Sequence, residues 1–130
     1  MKSIIAILKN KPCFQGFMAA NVEDISKTEK CLSLLFAKEY KVYLMEFGFA
    51  TYEGHELTGI CKSKRLNVSD VTIMERKLNT KIPDDWYVIE QLNIDGIVIW
   101  QASDGAIYQT SPYKEPVKIC DSLAEYIEQE

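Results

Sequence analysis

The sequence predicts an α+β domain in which helices come first and an antiparallel meander comes last. Three observations carry this expectation. Residues 86 to 110 hold three runs rich in apolar, β-branched and aromatic residues, WYVIEQL, IVIW and AIYQT. They are separated by Asp95-Gly96 and Asp104-Gly105, dipeptides that supply the positive φ a tight reversal needs. In the first half apolar residues instead recur every three or four positions, the period of a helix with one buried face. The chain closes on Ser122 and Glu125, spaced as a capping box, with Leu123, Tyr126 and Ile127 on one face of the helix that follows.

Each element follows from its local pattern. Ile4, Ile7 and Leu8 predict a short first helix ended by Lys11-Pro12, and Cys13 to Ala20 reads as a connecting loop. Asn21 is placed to cap a helix with Val22, Ile25, Glu29 and Leu32 on one face. After Leu34-Leu35-Phe36 the residues Tyr40, Tyr43, Leu44 and Phe47 form a second helical stripe that stops at Gly48, giving an αα-hairpin. Phe49 to Tyr52 and Leu57 to Cys61 predict two short strands around Glu53-Gly54-His55. The basic loop Lys62 to Arg65 leads to a helix capped by Asn67 or Ser69, with Val71, Met74 and Leu78 as its apolar stripe, and Pro83 lies beyond its end. Within the meander, Ile97 to Trp100 are four consecutive apolar residues, which predicts a central strand covered on both faces. VKIC, beyond Pro112 and Pro116, reads as a further strand.

Composition narrows the class of protein. The chain has 130 residues, 47% hydrophobic and 26% charged, the balance of one globular domain. Ile4 to Leu8 is far too short an apolar run to span a membrane and has no small-residue cleavage site after it, so no membrane association is expected. Cysteines at 13, 31, 61 and 120 show no C-x-x-C pair or stapled spacing, which reads as reduced thiols and a cytoplasmic location. Residues 1 to 65 carry ten Lys or Arg against seven Asp or Glu, and residues 66 to 130 five against twelve, so the halves hold +3 and −7 of the net −4. The second half is expected to repel nucleic acid and to attract a basic partner.

Few residues suggest chemistry. His55 and Cys61 are the one thiol-imidazole candidate, but no third group is marked to orient them. Glu53, Glu56, Asp84 and Asp85 could form acid-base pairs, although acids in turns are commonly solvated. One His and four scattered Cys lack metal-ligand spacing, and there is no Gly-rich phosphate loop, G-x-S-x-G or H-E-x-x-H, so neither an enzyme nor a cofactor is called for. Gly54, His55 and Gly59 read as a structural turn. Trp100 is assigned to the core, whereas Trp86, preceded by Asp84 and Asp85, is weighed equally as an aromatic anchor with an acidic rim.

The run ISKTEKCLSLLFAKEYKVYLMEFG, Ile25 to Gly48, resembles the signature of the SUKH superfamily. The later blocks GHELTG, WYVIE, DGIVIWQ, IYQTSP and SLAEYI are similar to one bacterial branch of it. One departure is that Phe36 or Ala37 stands where a proline is common before the acidic-Tyr-Lys segment. The resemblance implies one domain over residues 1 to 130, with a central, mainly antiparallel sheet flanked by helices and residues 1 to 20 as an N-terminal helix and loop extension. It further implies a binding protein without a cofactor. The first expectation is an immunity protein that occludes a cognate polymorphic toxin, a basic protein such as a nuclease. The alternatives are a regulatory scaffold of the cell-wall-assembly type and, least, a small hydrolase. The expected partner surface is Asp84, Asp85, Trp86 and Glu90, then Glu53 and Glu56.

Overall fold

In the computed structural model residues 3 to 129 are described; Met1, Lys2 and Glu130, which the expected domain span includes, lie outside the described residues. Five helices and seven strands follow in the order α1 (Ile4–Lys9), β1 (Gln15–Gly16), α2 (Val22–Leu32), α3 (Lys38–Phe47), β2 (Ala50–Tyr52), β3 (His55–Leu57), α4 (Val68–Leu78), β4 (Tyr87–Gln91), β5 (Val98–Gln101), β6 (Ile107–Thr110), β7 (Val117–Cys120) and α5 (Leu123–Glu128). The strands form two antiparallel sheets, β1-β2-β3 and β4-β5-β6-β7. This is the α+β plan with its C-terminal meander.

The four-stranded sheet divides the core in two. Tyr87, Ile89, Ile99 and Ile107 face α1, α2, α3 and α5 in the larger cluster. Val88, Val98 and Trp100 point the other way, with Trp86 and with Val71 of α4, in the smaller one. β5 lies inside the sheet with all four of its residues buried, as its apolar run required. Ile97, expected in the same strand, stands just before it and is only partly buried. The Trp100 indole N–H, fully enclosed, donates to Thr110 Oγ1 at 2.8 Å.

Caps fix the helices where the sequence placed them. Asn21 and Ser122 side chains accept from the third residue on, Asp24 N and Glu125 N, and Asn67 Oδ1 accepts from Ser69 N and Asp70 N. The Glu125 carboxylate returns a bond to Asp121 N at 3.1 Å, one residue earlier than a strict capping box. Gly48 ends α3 at φ +72°, and a Cβ there would meet Met18 O at 1.9 Å.

Three elements differ from expectation. Gln15–Gly16, read as loop, forms an edge strand against Ala50 and Thr51, a pairing too short to leave a periodic signal. The second strand of the hairpin is His55–Leu57 rather than Leu57 to Cys61, because Glu53 and Gly54, at φ 43° and 82°, make a two-residue turn that sets the register Tyr52↔His55. On α4 the buried residues are Val68, Val71, Thr72 and Glu75, while Met74 and Leu78 are 47% and 74% exposed. β4 is an edge strand with a β-bulge between Val88 and Glu90, and its outward Val88 N is satisfied by Thr72 Oγ1 at 3.0 Å, which explains part of that face.

Truncating Trp100→Ala is expected to cost about 3 to 5 kcal/mol through the cavity and the orphaned Thr110 hydroxyl. Chemical denaturation measures it, and a loss below about 1 kcal/mol would mean the sheet face is not closed around the ring. The glycines of the 54–59 segment should separate. A Cβ at Gly59 would lie 1.9 Å from Gly48 O, so Gly59→Ala should prevent stable folding. At Gly54, with φ +82° and nothing within 4 Å, alanine should cost only about 1 to 2 kcal/mol.

Candidate partner-binding surface

The acidic candidates fall into three environments. Glu90, on β4, is 2% exposed. Tyr126 of α5 donates to its Oε1, and His55 Nδ1 of β3 lies 3.2 Å from its Oε2. The His55 ring also stacks on Tyr52, with centroids 4.9 Å apart. Glu90 is thus an internal tie between two sheets and a helix, which corrects its assignment to a partner surface. The reason is the bulge in β4, which puts Glu90 on the same side as Ile89, toward Tyr126 of the larger core. Trp86 is corrected likewise. It is 6% exposed, stacked on Tyr108 at 4.1 Å and close to Trp100, so it fills the smaller core.

Glu53 and Glu56 belong to the β2–β3 hairpin. Glu53 is exposed in the turn. Glu56 accepts a two-pronged bond from Arg65 Nη1 and Nη2, at 2.6 and 2.9 Å. That hydrogen bonding holds its pKa below the usual value, so the pair contributes above the ordinary carboxylate range and is lost as pH falls through the lowered value. Both side chains are well exposed, and the contribution to stability is small. Its charge is already answered by the basic loop.

Asp84 and Asp85 remain open to solvent. Arg76 Nη2 donates to the Asp84 carbonyl at 2.8 Å, fixing the backbone while leaving the carboxylate outward. Asp85 accepts from Ser103 N at 3.4 Å, and the Ser103 hydroxyl donates to the carbonyl of Leu35, a residue 66% exposed in the α2–α3 link. Ser103 precedes Asp104, also exposed, in the β5–β6 turn. The fold therefore gathers Asp84, Asp85 and Asp104 around an exposed leucine. Leu35 and Asp104 were not singled out in the sequence, since one looks like core and the other like a turn former.

No catalytic pair forms from His55 and Cys61. His55 faces Glu90 and Tyr52, and the Cys61 thiol donates to Ser63 O at 3.5 Å. Burial pushes the Cys61 pKa up, opposite to the direction a nucleophilic thiol needs. Among the described residues no cluster of three or more His, Cys, Asp or Glu could hold a metal ion, and no helix is long and apolar enough to cross a membrane.

What the geometry defines is a small α+β domain whose ionisable core groups are tied internally and whose free acids lie at its surface. The chain belongs to the SUKH superfamily: residues 1–130 match the SUKH_5 family model, described as SMI1-KNR4 cell-wall. No curated protein matches it. SUKH membership links the chain to protein–protein interaction.

Two measurements bear on these assignments. Near neutral pH a limiting alkylating agent, followed by peptide mass mapping, should label the exposed Cys13 and Cys31 before Cys61 and Cys120, whose pKa values burial raises. Preferential labelling of Cys61 would reinstate it as a reactive thiol. Tyr126→Phe removes a donor from a buried carboxylate and should cost about 1 to 3 kcal/mol.

Proposed function

We propose that this protein is an immunity protein that binds a basic toxin domain and blocks it by occlusion. The observation that supports the reading best is the group Asp84, Asp85 and Asp104 beside exposed Leu35. All three are exposed, and none forms an ion pair among the described residues. A nuclease must carry a basic groove for phosphate, and an acidic surface placed on it competes with the substrate. Glu53 and Glu56 are a second, weaker element of the interface, because Arg65 neutralises one of them. No cofactor takes part, and the protein acts in the cytoplasm on a partner made beside it.

The description of the matched family, SMI1-KNR4 cell-wall, supports a second reading as a non-enzymatic regulatory scaffold of cell-wall assembly. A toxin gene directly upstream favours the first reading; its absence favours the second.

Charge reversal at Asp84→Lys with Asp85→Lys tests the surface directly. Stopped-flow association with the toxin domain, across a salt series, should be slowed by about tenfold or more at low salt and should lose part of its salt dependence. Leu35→Ala should act mainly on dissociation. Equal rates and slopes for wild type and the double variant would move the interface to the basic Lys62 to Arg65 loop and imply an acidic partner.

A further inference from the structure

Among the described residues Glu75 and Glu90 are the two buried acids, and Glu75 is the one that no hydroxyl or imidazole answers. It is 7% exposed, on the face of α4 turned toward β4. Gln91 Nε2 donates to Oε2 at 2.6 Å and Asn79 Nδ2 lies 3.4 Å from Oε1. Both donors are neutral amides, and among the described residues no Lys, Arg or His forms an ion pair with this carboxylate. A buried acid satisfied only by dipoles retains an unmet demand for positive charge.

Glu75 is one of the residues that line a half-open chamber of about 340 Å³. Leu78, Ile97 and Pro112 supply apolar walls, and none of the nine lining residues is cationic. Asn93 and Gly96 belong to the turn that also carries exposed Asp95, which adds negative potential at the mouth. The adjoining chamber beyond Leu78 holds Lys81 and Lys114 with Glu115, so a cation is favoured on the Glu75 side alone.

We propose that this chamber receives a basic side chain, arginine in preference to lysine, projected by a protein partner. The aliphatic stem lies against Leu78, Ile97 and Pro112, and the planar guanidinium pairs with the Glu75 carboxylate. The inference rests on the reading of the chain as a binder of basic proteins. It adds a contact at the Gln91 end of β4, opposite the end where Asp84 and Asp85 stand.

The test is an NMR titration of the isotope-labelled full chain with N-acetyl-arginine amide, and in parallel with the uncharged citrulline analogue. Saturable shifts at Leu78, Asn79, Gly96 and Ile97 with the arginine probe, and about tenfold weaker response to citrulline, are expected. Glu75→Gln should weaken the arginine response by a similar factor with the melting temperature little changed. Leu78→Lys, at an exposed position, should block it in the same way without touching the core, and so serves if Glu75→Gln fails to fold. The Asp84→Lys, Asp85→Lys double variant should bind the probe as wild type does, whatever its effect on a toxin, which separates this site from the surface above. Equal response to both probes, wild-type binding by Glu75→Gln or Leu78→Lys, shifts confined to the Asp84 end, or no saturable shift would overturn the assignment.

Discussion

The two sheets and the helical layer meet at Thr58, a residue 2% exposed. Its N–H donates to Ile89 O at 2.8 Å, joining the three-stranded sheet to the four-stranded one just beyond β3. Its hydroxyl donates to Val88 O at 2.7 Å, so the Tyr40 hydroxyl 2.9 Å away must donate to Thr58 Oγ1. Tyr43, one turn along α3, donates to the Thr58 carbonyl at 2.7 Å. Every one of these groups is out of water, where an unmade bond costs more than a made one gains. Burial accordingly pushes the pKa of both tyrosines up and keeps them as neutral donors.

A second knot uses the neighbouring residue of the same helix. Glu39 accepts from Gln101 Nε2 at 2.8 Å and from the backbone N–H groups of Leu123 and Ala124, placing a carboxylate at the N-terminus of α5, where the helix dipole favours it. Gln101 accepts in turn from the Tyr87 hydroxyl, which itself accepts from Ala37 N. Lys41 pairs with Glu29, whose carboxylate also holds Phe36 N. The Glu39-Tyr40-Lys41 triplet thus serves architecture at each position, as do Thr58, Tyr87, Glu90 and Gln101 in the other blocks that resemble the family. Asp84, Asp85, Asp104 and Glu75 all fall between those blocks.

The order of elements and the covered central strand were legible because they rest on local signals: Asp-Gly turns, caps at Asn21, Asn67 and Ser122, and the unbroken run into Trp100. What stayed hidden depends on partners distant in sequence. The α4 face differs from expectation because Thr72 and Glu75 are polar, and only the edge N–H of Val88 and the amide of Gln91 make their burial favourable. By the same token Met74 and Leu78 looked like core and are not. Glu90 read as surface because acids are rarely buried, and Trp86 was weighed as surface because two aspartates precede it, whereas here Tyr126 and Tyr108 enclose them. Asp84 and Asp85 do stand at the surface, as loop acids should.

A carboxylate held inside the fold keeps its charge but cannot be touched by a partner, and Glu29, Glu39 and Glu90 are all committed in this way. Arg65 and Lys118 cover Glu56 and Asp121. Of the second-half acids Glu90 is committed internally and Asp121 is covered, while uncovered acids stand at the two ends of β4: Asp84 and Asp85 beside exposed Leu35, and Asp95 near the Glu75 chamber. On the proposed reading the exposed acids act at a distance and govern how fast a basic partner arrives, while Leu35 and the chamber walls act only on contact and govern how long it stays. Because α4 and β4 that carry both ends are locked together through Thr72 and Glu75, the two proposed contacts are held at a fixed separation, and a partner built to fit both would need no further ordering of this chain.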